Sequence, residues 1–87
     1  MSVQPWADDV AGTALAVVLT AVDEVVGSGP YRPADNFYDI GGSSLDAMRI
    51  SLRVGRALAV EVPAEELLRS DDLAGFVAWV TAAREAA

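Results

Sequence analysis

Ser43, Ser44 and Asp46 stand directly behind the pair Gly41-Gly42, and in this 87-residue chain they are the residues whose types and spacing point to chemistry. A serine followed three residues later by an acid is a capping-box pattern, in which each side chain satisfies the other's backbone N–H. It makes Ser43 the N-cap of a helix and leaves Ser44 at the first helical position with its hydroxyl free. A helix N-terminus exposes unpaired N–H groups and a partial positive charge, so it tolerates an anion joined to Ser44. Nothing in the chain activates that hydroxyl as a nucleophile, since there is no histidine and no lysine to serve as base. Gly41 and Gly42 remove two side chains just before the helix, which lets the backbone turn and lets another macromolecule approach closely. Taken alone, the same letters also fit a plain loop feeding a well-capped helix. Asp35, Asp39 and Asp46 could pass for a metal cluster, but capping and solvation explain each more simply, and no metal site is expected.

The elements that must position these residues come from a short chain. Eighty-seven residues make one small domain (1–87), near the size at which core burial becomes marginal, and the apolar fraction of 53% is what a core needs. Without cysteine or histidine the chain has no disulfide, no Cys/His metal site, no Cys nucleophile and no His base. Any reactive sulfur must be imported. A net charge of −7 argues against nucleic acid and anionic membranes, and for partners with basic docking surfaces. The start, Met1-Ser2-Val3-Gln4-Pro5-Trp6, lacks the basic and apolar regions of a leader, and no segment has the length of a membrane span. A cytoplasmic monomer is expected.

Asp8 or Asp9 can open a first helix, in which Val10, Ala14, Val17, Val18, Ala21, Val22, Val25 and Val26 recur at helical spacing. Gly27-Ser28-Gly29-Pro30 stops it. The stretch to Gly42 is too long for a turn and too apolar for a solvated linker, so Phe37 and Ile40 should pin it to the core, with Asp35 capping a short turn.

The second helix, Ser44 to Leu58, carries two apolar faces. Ala47, Ile50, Val54, Ala57 and Leu58 fall on one side; Leu45, Met48 and Leu52 fall nearly opposite. The second stripe is either covered by the long loop or is a partner-docking surface, flanked by Arg49, Arg53 and Arg56. After the extended Ala59-Val60-Glu61-Val62-Pro63, residues Ala64 to Arg69 read as a brief third helix. Ser70 should cap a fourth, with Asp71 and Asp72 in its first turn and Leu73, Phe76, Val77 and Val80 facing inward. The expected fold is all-α: a small four-helix bundle of three longer helices and one short one, with a long loop between the first two.

Asp35, Phe37, Tyr38, Ile40, Gly41, Gly42, Ser44 and Leu45 together resemble the prosthetic-group site of phosphopantetheine carrier proteins, in particular the peptidyl carrier (thiolation) domains of nonribosomal peptide synthetases. The resemblance extends over nearly the whole chain and implies an acyl carrier protein-like bundle. It implies that Ser44 carries 4'-phosphopantetheine, taken from coenzyme A, and that the thiol of this arm holds an aminoacyl or related acyl group as a thioester. The chain would then have no catalytic residues of its own. Its partners would be a phosphopantetheinyl transferase, an adenylation enzyme, and downstream condensation, tailoring or transfer enzymes of natural-product and antibiotic biosynthesis. Helix two is the usual recognition helix of such proteins, which favours Leu45, Met48, Arg49, Leu52 and Arg53 as the partner-binding face.

Two departures bear on the branch of the family. The residue before the modified serine is often His or Asp, and here it is Ser43. Ser44-Leu45-Asp46 is also similar to the Ser-Leu-Asp of fatty-acid and polyketide acyl carriers, whereas the glycine pair favours the peptidyl type. Met1 and the bare C-terminus fit a free-standing carrier, although a domain excised from a synthetase would look similar. From a different class, a small acidic interaction module without a prosthetic group would use the same helix as a binding face.

Overall fold

A computed structural model describes residues 5–86, with side chains described from residue 12 onward. Four helices follow one another: α1 (Pro5–Val26), α2 (Ser44–Leu58), α3 (Ala64–Arg69) and α4 (Leu73–Ala86), with no strand among the described residues. α1 packs against both α2 and α4, and the short α3 bridges α2 and α4. This is the expected all-α bundle of three longer helices and one short one.

α1 begins at Pro5, earlier than the start expected at Asp8 or Asp9. Proline at the first helical position has its φ already fixed and lacks the N–H that would otherwise go unpaired. The leader reading of residues 1–4 and the side chains of Trp6, Asp8, Asp9 and Val10 lie outside the described residues. Further along, Ala14, Val18, Ala21 and Val22 are buried, with Val17, Val25 and Val26 at the margins. α1 ends where Gly27 and Ser28 turn left-handed, at φ +82° and +66°. There the Asp23 carboxylate accepts from the Gly29 N–H at 2.8 Å.

The core is completed by Phe37 from the loop, Ala47, Ile50, Val54 and Leu58 from α2, Leu67 from α3, and Leu73, Phe76, Val77 and Val80 from α4. Full burial of one such large side chain contributes about 1.5–3 kcal/mol. Two residues of α2 depart from the expected inward face. Ala57 is exposed, and Ser51 is buried in its place with its hydroxyl unpartnered among the described residues. At about 100° per residue, Ser51 and Ala57 stand at equal angles on the two sides of the arc that Ala47, Ile50, Val54 and Leu58 define, so helix periodicity alone does not decide which of them is buried.

Ser70 does not cap α4. Its hydroxyl donates back to the Glu66 carbonyl at 2.7 Å, at the C-terminus of α3. Asp72 caps α4 instead, its carboxylate accepting the Gly75 N–H at 2.8 Å. The preceding amides of α4 are satisfied by the long loop: Leu73 N–H donates to the Asp35 carbonyl at 2.9 Å, and Ala74 N–H to the Pro33 carbonyl at 2.8 Å. Three of the four donors that a helix start leaves open are thereby used, and the loop is latched to α4.

Candidate functional site

The loop between α1 and α2 is held by its own side chains before it delivers Ser44. The Asp35 carboxylate accepts the Arg32 N–H at 2.7 Å, closing the short turn expected there. Asn36 makes an Asx turn, its Oδ1 accepting from the Tyr38 and Asp39 amides at 2.8 and 3.0 Å. Its Nδ2 donates to the Asp71 carbonyl at 2.7 Å, a second tie to the start of α4. Phe37 is buried and meets Tyr38 edge to face, the ring centroids 6.0 Å apart, while Ile40 packs half-buried on the core. Both Phe37 and Ile40 thus pin the loop as their types suggest.

The two glycines have different reasons. Gly41 sits at φ +91° with open space where a side chain would stand, a conformation that favours glycine. Gly42 lies against the Phe37 ring, and a Cβ there would overlap three ring carbons. The clearance at Gly42 is therefore filled from inside by Phe37, and only Gly41 leaves the free approach expected of the pair.

The capping box forms as its spacing indicates. Ser43 Oγ accepts the Asp46 N–H, and Asp46 Oδ2 accepts the Ser43 N–H, each at 3.2 Å. Ser44 follows as the first residue of α2, exposed, and its hydroxyl makes no hydrogen bond to any described residue. The Ser44 and Leu45 amides have no protein acceptor among the described residues either, so two backbone donors stand open next to that hydroxyl. An exposed hydroxyl beside open amides at the positive end of a 15-residue helix suits a phosphodiester. The nearest acid, Asp46, is engaged by Ser43 and leaves Ser44 without a base.

Along α2 from Ser44, Leu45, Met48 and Leu52 are exposed at 55%, 60% and 56%. The loop does not cover them, which removes that explanation of the second apolar stripe. Tyr38, 56% exposed, is the fourth large exposed hydrophobic residue among the described side chains, and its hydroxyl donates to the Leu68 carbonyl at 3.2 Å. No surface role for Tyr38 is expected from the loop's composition, and its place between buried Phe37 and half-buried Ile40 is the one local signal of its exposure. Arg49, Arg53 and Arg56 are exposed beside the stripe, and Arg53 pairs with Glu24 of α1 at 3.0 Å. Among the described residues no three carboxylates converge on a metal-sized site.

Comparison with known proteins follows the same geometry. The family described as "Phosphopantetheine attachment site" matches residues 16–80. The chain is 43% identical over 61 residues to phosphinothricin tripeptide synthetase PhsC of Streptomyces viridochromogenes, covering 70% of this chain and 6% of that protein. It is 36% identical over 63 residues to tyrocidine synthase 3 of Brevibacillus parabrevis, covering 72% of this chain and 1% of that protein. To glycine betaine reductase ATRR of Emericella nidulans it is 35% identical over 54 residues, covering 62% of this chain and 4% of that protein. The chain therefore spans only a small part of the length of the curated relatives it matches. No solved structure matches it significantly.

Proposed function

Since this chain belongs to the phosphopantetheine attachment-site family, whose members carry that group covalently, we propose that Ser44 is the residue to which it is joined. The observation that carries the assignment is the free Ser44 hydroxyl beside two open amides, next to a Ser43 already committed to the cap. The group supplies a thiol, which this cysteine-free chain lacks, for holding an acyl unit as a thioester. The chain's own part is to expose the serine, to place positive helix charge beside the phosphodiester, and to offer α2 as a surface.

The carrier is of the peptidyl type. Two of its relatives are named as a tripeptide synthetase and tyrocidine synthase, and the Gly41-Gly42 pair agrees with that branch more than with fatty-acid or polyketide carriers. It works as a substrate of other enzymes: a transferase using coenzyme A, an adenylation enzyme supplying the aminoacyl group, and condensation, tailoring or transfer enzymes that receive it. Leu45, Met48, Arg49, Leu52 and Arg53 form the face those enzymes meet. No helix among the described residues is long and apolar enough to cross a membrane.

Intact-protein mass after incubation with a phosphopantetheinyl transferase and coenzyme A tests the assignment. The chain should gain the mass of one phosphopantetheine. Aminoacyl loading should then require holo-protein, ATP and an adenylation enzyme together. Self-loading from ATP and a free acid would contradict it.

A further inference from the structure

Ser51 is the one buried polar residue among those described, 4% exposed, and its Oγ has no hydrogen-bond partner among them. A serine or threonine on a helix commonly donates to the carbonyl four residues back. Ser70 and Thr81 do so, to Glu66 at 2.7 Å and to Val77 at 2.8 Å, whereas Ser51 makes no such bond to Ala47. A buried hydroxyl without a partner is unfavourable, and it calls for one from outside the protein chain.

Ser51 lines a recess of about 270 Å³ between α2 and the connection to α3. Leu52, Val60 and Val62 give the recess apolar walls, with the exposed Arg56 and Glu61 at its edge. Gly55 lets the connection close onto α2: the Val60 N–H donates to the Gly55 carbonyl at 3.1 Å, and a Cβ on Gly55 would stand 2.8 Å from the Val60 carbonyl oxygen. Ser51 follows Ser44 at about 20° short of two full helical turns and about 10.5 Å along the axis. The recess therefore lies in line with Ser44, down the same side of α2.

We propose that the phosphopantetheine arm joined to Ser44 runs down this line into the recess, where the Ser51 hydroxyl donates to the carbonyl of one of the arm's amides. This rests on the assignment of Ser44. Extended at about 1.2 Å per bond, the arm carries its two amides roughly 8 and 13 Å from the serine oxygen, on either side of the distance to Ser51. A hydroxyl among apolar walls suits a chain that alternates hydrocarbon with amide, and it disfavours an unbroken alkyl chain, which would leave that hydroxyl unpaired. Ser51 is thus a positioning residue, through which the carrier holds its own arm between deliveries.

The test compares the full chain before and after modification, each form identified by intact mass, through its melting temperature and its amide NMR shifts. Modification should raise the melting temperature of wild-type protein by about 2–5 °C, because a buried hydroxyl gains its bond, and that of Ser51→Ala by less than about 1 °C. The difference between modified and unmodified protein cancels whatever Ser51→Ala does to the fold itself. In the wild-type spectrum, modification should move the amides of Ser51, Gly55 and Val60 as well as those of Ser44 and Leu45. An equal rise in wild type and Ser51→Ala, or shifts confined to the turn that holds Ser44, would overturn the proposal while the Ser44 assignment stands. If wild-type protein gains no mass at all, the assignment fails first, and this proposal with it.

Discussion

The Phe37 ring occupies the space in which Gly42 has no side chain, so the buried anchor of the loop and the second glycine before Ser44 form one packing unit. The loop enters α2 at a fixed angle because nothing larger than hydrogen fits at Gly42. Gly42→Ala should destabilise the domain by about 1–3 kcal/mol through overpacking, measured by denaturant unfolding. Gly41→Ala meets no atom and should cost about 1–2 kcal/mol from its positive φ alone. A Phe37→Leu/Gly42→Ala double variant should lose less than the sum of the single losses, whereas strict additivity would dissociate the two residues.

Ser43 and Ser44 are adjacent but have separable roles. Ser44→Ala should abolish phosphopantetheine incorporation, with the melting curve nearly unchanged. Ser43→Ala should keep incorporation and lose about 0.5–2 kcal/mol of stability, because the Asp46 amide loses its cap. Loss of the mass gain in Ser43→Ala alone would move the attachment site by one residue.

Met48 and Ile50 are two residues apart on α2 and differ completely in exposure, 60% against 0%. Ile50→Ala should cost about 2–5 kcal/mol, the range for large-to-small changes in a core. Met48→Ala should leave the thermal melt within about 0.5 kcal/mol of wild type, as for surface substitutions generally. Its defect should appear in transfer or loading rates. Equal destabilisation by the two changes would mean that the outer stripe is covered in the folded protein.

The start of α4 provides a fourth comparison. Asp72→Ala removes the cap on Gly75 and should cost about 0.5–2 kcal/mol in a chemical melt. Ser70→Ala deletes a bond to the end of α3 and should cost less. The reverse order would return the cap to Ser70.

Local signals carried most of the architecture. The Ser43–Asp46 spacing marked the N-terminus of α2 to the residue, and the recurrence of Ile50, Val54 and Leu58 marked its buried side. Both depend on contacts within one turn or on a single helical period. The departures involve interactions that helix periodicity does not encode. Asp72 caps α4 while Ser70 turns back to α3, and Ser51 is buried while Ala57 is exposed although the two stand at equal angles on either side of the buried arc. At the site, the exposure of Leu45, Met48 and Leu52 was legible as a second apolar stripe. That Phe37 fills the Gly42 clearance and that Tyr38 reaches Leu68 were not, since each depends on where the loop folds over in space.

The Leu73 and Ala74 amides, which donate to the Asp35 and Pro33 carbonyls, join residues 38 and 41 positions apart. These two protons are consequently built-in reporters on the loop that delivers Ser44. In native-state hydrogen exchange, they should exchange at the rate at which the loop lifts from α4, while the interior amides of α2 wait for global unfolding. A carrier whose loop opens without melting its helices would show that difference directly, amide by amide.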